Sequence, residues 1–273
     1  MFRLICHPVR WLVLWTCLSP VALAATPDEE AQTQAVRVSQ AAIGRSVSNW
    51  RFVDRSGREV RMSDLRGKPL LVSFIYTGCF QVCPTTTRFL QQSVRAARDA
   101  LGHGSFRVIS IGFNQPFDSP EALSDFSRKH GINLAEWEFL APRQADVEPM
   151  LAEFGLRVTP TTAGFDHIIQ ASLVDADGAI YRQIYGDAFD LQMLIEPLKQ
   201  LLSGQVEGQG TLDSVWLKVK LFCTVYDPNT GRYKFNYSLF VELFAGLTFL
   251  GALAAYGIHG LRRLREQERS KHL

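Results

Sequence analysis

The sequence predicts an α/β fold: one domain with a mixed central sheet, opened by a β-hairpin and followed by a C-terminal transmembrane helix. Three observations predict it. Between residues 49 and 203, β-type apolar runs alternate with amphipathic helical stretches, and turn-linked strand pairs stand at both ends of that region. A separate apolar segment of membrane length, residues 239–261, lies beyond it.

Taken in chain order, residues 1–24 carry Arg3 and Arg10, then an apolar run from Trp11 that closes on Ala22-Leu23-Ala24. This is the pattern of a cleavable export signal, too short to span a bilayer. Residues 25–48 form a lead-in rich in Ala, Gln, Thr and Glu, a short helix or a flexible segment. Arg51 to Asp54 and Arg58 to Met62, joined through Ser56-Gly57, predict the opening hairpin. Leu70 to Tyr76 is nearly continuous β-type sequence and predicts a central strand buried on both faces.

A helix follows, with Phe89, Leu90, Val94, Ala97 and Leu101 along one side and Pro84 suited to its first turn. Phe106 to Ile111 predicts the next strand, and Asp118-Ser119-Pro120-Glu121 starts a helix that stops at Gly131. A short helix is expected from Ala145 to Phe154. Strands at Ile168–Val174 and Ala179–Tyr185 flank the turn Asp175-Ala176-Asp177-Gly178, and a last helix runs from Phe189 to Leu202. Residues 204–238 form a juxtamembrane segment, and Arg262, Arg263, Arg265, Arg269 and Lys271 make 262–273 a basic tail expected on the cytoplasmic side. The expected location is therefore an inner membrane, with the domain facing the periplasm.

Of the formal net charge of +2, the signal carries +2 and the tail +3, which leaves about −3 on the part between them. Nothing in that balance recommends a nucleic-acid partner. Five cysteines are present, of which Cys6 and Cys17 fall in the signal, so Cys79, Cys83 and Cys223 remain. An odd thiol count in a compartment that permits disulfides calls for a chemical role.

Cys79 and Cys83 stand four residues apart where the central strand meets its helix. Unsatisfied amides and the helix dipole favour thiolate there, the species that binds a soft metal or attacks a disulfide. Both uses stay open on spacing alone. Two thiolates satisfy Cu(I), whereas Cu(II) also wants imidazole, and His167 in Gly164-Phe165-Asp166-His167 is the candidate third ligand. His103, His130 and His259 are read as structural or incidental. Cys223 is either an inert buried thiol or a reactive sulfur beyond the domain.

These residues carry a resemblance. Ser63-Asp64-Leu65-Arg66-Gly67-Lys68-Pro69, Phe74-Ile75-Tyr76-Thr77-Gly78-Cys79 with Cys83-Pro84, Asp118-Ser119-Pro120-Glu121, and Asp166-His167 ahead of Asp175-Ala176-Asp177-Gly178 make the chain resemble the Sco/SenC family of cytochrome oxidase assembly proteins from about Phe52 to Leu202. The resemblance implies a thioredoxin-like fold in which Cys79, Cys83 and His167 bind a copper ion, as Cu(I) or Cu(II), for delivery to the copper-bearing subunit of a respiratory oxidase or another cuproprotein. The acidic residue usual two positions before the second cysteine is missing, since Gln81 and Val82 follow Phe80. The resemblance also implies thiol reductase activity in some members, with Cys79 and Cys83 as the exchanging pair. Three classes of function follow: copper metallochaperone, thiol-disulfide oxidoreductase, and redox or copper sensor.

Overall fold

The computed structural model describes residues 27–80, 82–162, 164–206, 224–227, 232–235 and 241–256. The expected export signal, the cytoplasmic tail and Cys223 lie outside them.

Helix α1 (Pro27–Gln40) precedes the opening hairpin of β1 (Arg51–Asp54) and β2 (Glu59–Arg61). Then come β3 (Leu70–Ile75), α2 (Val82–Leu101), β4 (Arg107–Gly112), α3 (Pro120–Lys129), β5 (Trp137–Pro142) and α4 (Gln144–Glu153). A small hairpin of β6 (Thr159–Thr161) and β7 (Gly164–Asp166) leads into β8 (Gln170–Val174), β9 (Ile180–Tyr185) and α5 (Gln192–Val206). Seven strands form one sheet in the order β2-β1-β5-β4-β3-β8-β9. The β3/β4 and β4/β5 pairs are parallel and the others antiparallel, so the sheet is mixed, as expected.

Burial explains the central strand. All six residues of β3 are buried, because β4 and β8 flank it and helices cover the sheet. On α2, Leu90, Val94, Ala97 and Leu101 recur at helical spacing and are all buried. The start of α3 is fixed by Ser119, whose hydroxyl accepts the Ala122 amide at 3.2 Å, with Pro120 in the first turn.

Strand β5 was absent from the sequence-based expectation. It enters between β1 and β4, and its burial on both faces removes the polar alternation that would have revealed it.

The lead-in is helical and its end joins the core. The Ser39 hydroxyl donates to Gln170 Oε1 at 2.6 Å, and the Gln170 and Gln183 amides both donate to the Phe154 carbonyl at 3.0 Å. These buried groups tie α1, the end of α4 and the β8/β9 pair together. Gly155 makes the close approach feasible: its φ is +69°, and a Cβ there would lie 2.7 Å from the Val38 carbonyl oxygen and 2.8 Å from Ser39 Cα. Gly155→Ala should therefore destabilise by about 2–3 kcal/mol, from left-handed strain plus backbone overlap. Thermal unfolding checks this; an unchanged midpoint would mean that α1 is not held there.

The transmembrane helix expected at residues 239–261 is corrected. The structure has a helix α6 over residues 241–256, and among the described residues no helix is long and apolar enough to cross a membrane. Between α5 and α6, β10 (Thr224–Asp227) and β11 (Arg232–Phe235) pair antiparallel, and β11 contacts α2.

Candidate metal centre

The site begins where β3 runs out of sheet. Tyr76 is still buried, and the chain then turns through Thr77, Gly78 and Cys79 before α2 takes up Cys83 in its first turn. A buried carboxylate holds the turn in place. Asp118 is fully enclosed; its Oδ1 accepts the Thr77 amide and hydroxyl, each at 2.7 Å, and its Oδ2 accepts the Asn114 amide at 2.7 Å. Burial pushes the Asp118 carboxyl up, while the three donors pull it down.

Neither Cys79 nor Cys83 is in a disulfide, and the two meet. The Cys83 amide donates to Cys79 Sγ at 3.3 Å, the Cys79 amide donates to the Tyr76 carbonyl at 3.2 Å, and the Tyr76 amide donates to the Cys83 sulfur. Cys79 is half-buried and Cys83 is 6% exposed. Burial first, then the neighbouring Cys79 sulfur and the Asp118 charge, push the Cys83 thiol up to about 12 against the Tyr76 amide.

At pH 8 Cys83 is then held almost entirely as the thiol. Iodoacetamide at that pH should modify Cys79 at least about tenfold faster than Cys83, and the gap should narrow as pH rises toward 12. Peptide mass spectrometry resolves the two; equal rates at pH 8 would contradict the burial of Cys83.

His167 follows β7 and packs edge-on against Phe113, ring centroids 5.7 Å apart. Tyr76, Phe113 and Phe165 form a mutual aromatic cluster at 5.1–5.5 Å, so His167 stands at the rim of the cluster that backs the cysteine turn. Its Nδ1 lies 2.9 Å from the Ile168 carbonyl oxygen. A carbonyl only accepts, so Nδ1 carries the proton and Nε2 keeps its lone pair, the tautomer a metal ligand needs. The structure thus brings the two thiols together and leaves the imidazole two aromatic contacts away. Among the described residues, no group of three or more His, Cys, Asp or Glu side chains is assembled for a metal.

Several participants were not visible as such in the sequence. Tyr76 hydrogen-bonds the Cys79 side chain and accepts the Phe165 amide; burial first, then that bond and the two sulfur charges, push its hydroxyl up to about 12. Asp118 supplies a carboxylate near Cys83 from the β4–α3 loop, although the cysteine loop itself lacks one. His130, read as incidental, lines a groove of ≈ 300 Å³ together with Cys79, Phe80, Phe126 and Lys129. Its ring packs edge-on against Phe126, and burial, Arg88 and Lys129 hold its pKa below the usual value. Phe80, 90% exposed, stands over that groove.

A family model described as SCO1/SenC matches residues 39–203, which contain every element of this site. The chain belongs to the SCO1/SenC family. A SCO1 protein homolog of Bacillus subtilis (strain 168) is 26% identical over 147 residues, 51% of this chain and 74% of the relative. Among solved structures the chain is similar to BsSco, a member of the Sco family of cytochrome c oxidase assembly proteins in which a disulfide switch was identified. The identity is 23% and the TM-score 0.53, over 58% of this chain and 94% of that one. Arabidopsis thaliana ScoI, solved with copper bound, is 13% identical with a TM-score of 0.51, over 57% of this chain and 99% of that one. At these identities the structural likeness is one of fold.

Proposed function

We propose that this Sco-family chain is a copper metallochaperone that holds one copper ion through Cys79, Cys83 and His167. It passes the ion to the copper-bearing subunit of a respiratory oxidase or to another cuproprotein. The observation that carries this reading is the convergence of two cysteine sulfurs at a strand-to-helix turn, backed by the aromatic cluster whose rim holds an imidazole with Nε2 available.

The donor chemistry fits. Two soft thiolates suffice for Cu(I), and a movement of the short segment after β7 toward the sulfurs would add the nitrogen that Cu(II) prefers. Copper that relatives carry, and their part in oxidase assembly, agree with this assignment. The character of residues 1–24 supports a working place outside the cytoplasm, on the periplasmic side.

The test is copper uptake by the full chain. One ion per protein is expected for both oxidation states, with loss of that ion to a thiol-bearing acceptor. Absence of uptake in either state would sink the reading.

A half-exposed Cys79 beside a buried Cys83 also favours thiol-disulfide exchange as a second activity. Cys79 thiolate would attack a partner disulfide and release one partner thiolate. Cys83, losing its proton, would then displace the second, leaving a Cys79–Cys83 disulfide and a reduced partner. Such exchange would prepare the acceptor's cysteines for the metal.

A further inference from the structure

Tyr76 sits between the two arms of the site. Its ring packs on Phe165 at 5.1 Å and on Phe113 at 5.5 Å, and its hydroxyl lies where a Cβ on Gly164 would come within 2.6 Å of it. Gly164 therefore leaves the space into which the hydroxyl reaches. At that point the hydroxyl meets two groups, the Phe165 amide and the Cys79 side chain. The amide donates to the phenol oxygen and occupies one of its lone pairs. The single phenol proton is left for the sulfur.

We propose that the Tyr76 hydroxyl is a redox-tuning group of the site: it donates a hydrogen bond to the Cys79 sulfur and thereby biases bound copper toward Cu(I). This rests on the copper reading above and deepens it. A hydrogen bond to a thiolate ligand withdraws electron density from sulfur, and the loss weakens binding of the doubly charged ion more than that of the singly charged one. The Cys83 amide, also donating to Cys79 Sγ, holds the sulfur in place whether or not the phenol is present. The hydroxyl can therefore be removed without removing the site.

Tyr76→Phe in the full chain deletes the donor and keeps the ring packing on Phe113 and Phe165. Cu(I) and Cu(II) affinities, each measured by competition with a chelator, should show a Cu(II)-over-Cu(I) preference raised about tenfold. That ratio corresponds to a one-electron potential lower by about 59 mV. The thiolate-to-Cu(II) absorption band should move to longer wavelength. Gly164→Ala, which crowds the hydroxyl off its seat, should shift both readouts in the same sense.

A merely structural role for Tyr76 would weaken both ions together and leave their ratio unchanged. The inference is overturned by a ratio within about twofold of wild type in Tyr76→Phe, or by a change of opposite sign, while the wild-type chain binds copper normally. A wild-type chain that takes up no copper overturns the copper reading itself, and this inference with it.

Discussion

Cys83→Ser should lower Cu(I) affinity by more than about a hundredfold. Even substitutions that only touch a ligand's hydrogen-bond partner cost 10–100-fold in metal sites, and this change removes a ligand sulfur. A serine hydroxyl does not replace it, because its oxygen is hard and stays protonated at neutral pH, whereas Cu(I) selects polarizable thiolate. The fold should tolerate the change: the side chain is small, and the Thr87 hydroxyl bonds the Cys83 carbonyl rather than the sulfur. Competition against a chromophoric Cu(I) chelator measures the effect. Affinity within threefold of wild type would show that the buried sulfur is not a ligand.

The same variant separates the two chemistries. If the pair also exchanges disulfides, Cys79 in Cys83→Ser should accumulate as a mixed disulfide with the acceptor, since the sulfur that would release it is gone. No such adduct forms if the chain only carries metal.

His167→Ala should lower Cu(II) affinity by about a hundredfold and leave Cu(I) affinity within about threefold of wild type. The asymmetry follows from ligand preference: two thiolates satisfy the monovalent ion, and the divalent ion loses its only imidazole. His167 is half-buried at the rim of the aromatic cluster, so stability should change little. Disulfide exchange, which needs only the sulfur pair, should survive in His167→Ala and vanish in Cys79→Ser. Cu(II) bound by His167→Ala as tightly as by wild type, with an unchanged absorption band, would remove the imidazole from the ligand set.

Much of the site was legible before the fold was known, because its parts are local. The cysteine pair, the strand that carries it and the helix that receives it lie within one stretch from Leu70 to Leu101, where burial imposes a continuous apolar run and then a helical period. The Ser119 cap of α3 is likewise a four-residue device. Tyr76 and Asp118 were present in matched segments without a role, since nothing local announces that a side chain will meet a backbone amide or a turn many residues away. Their functions depend on β3, the β4–α3 loop and the β6–β7 hairpin converging.

The sequence by itself determined the alternation of strand and helix and the position of both thiols, because periodicity and spacing are properties of short segments; the choice of His167 as candidate imidazole came from the family resemblance. Only the tertiary structure decided that β5 fills the place between β1 and β4 and that Cys79 is accessible while Cys83 is not. It also decided that His167 waits behind an aromatic cluster. The physical reason is common to all three. Pairing and burial are set by contacts between distant segments, which are not written in the residue types of one stretch.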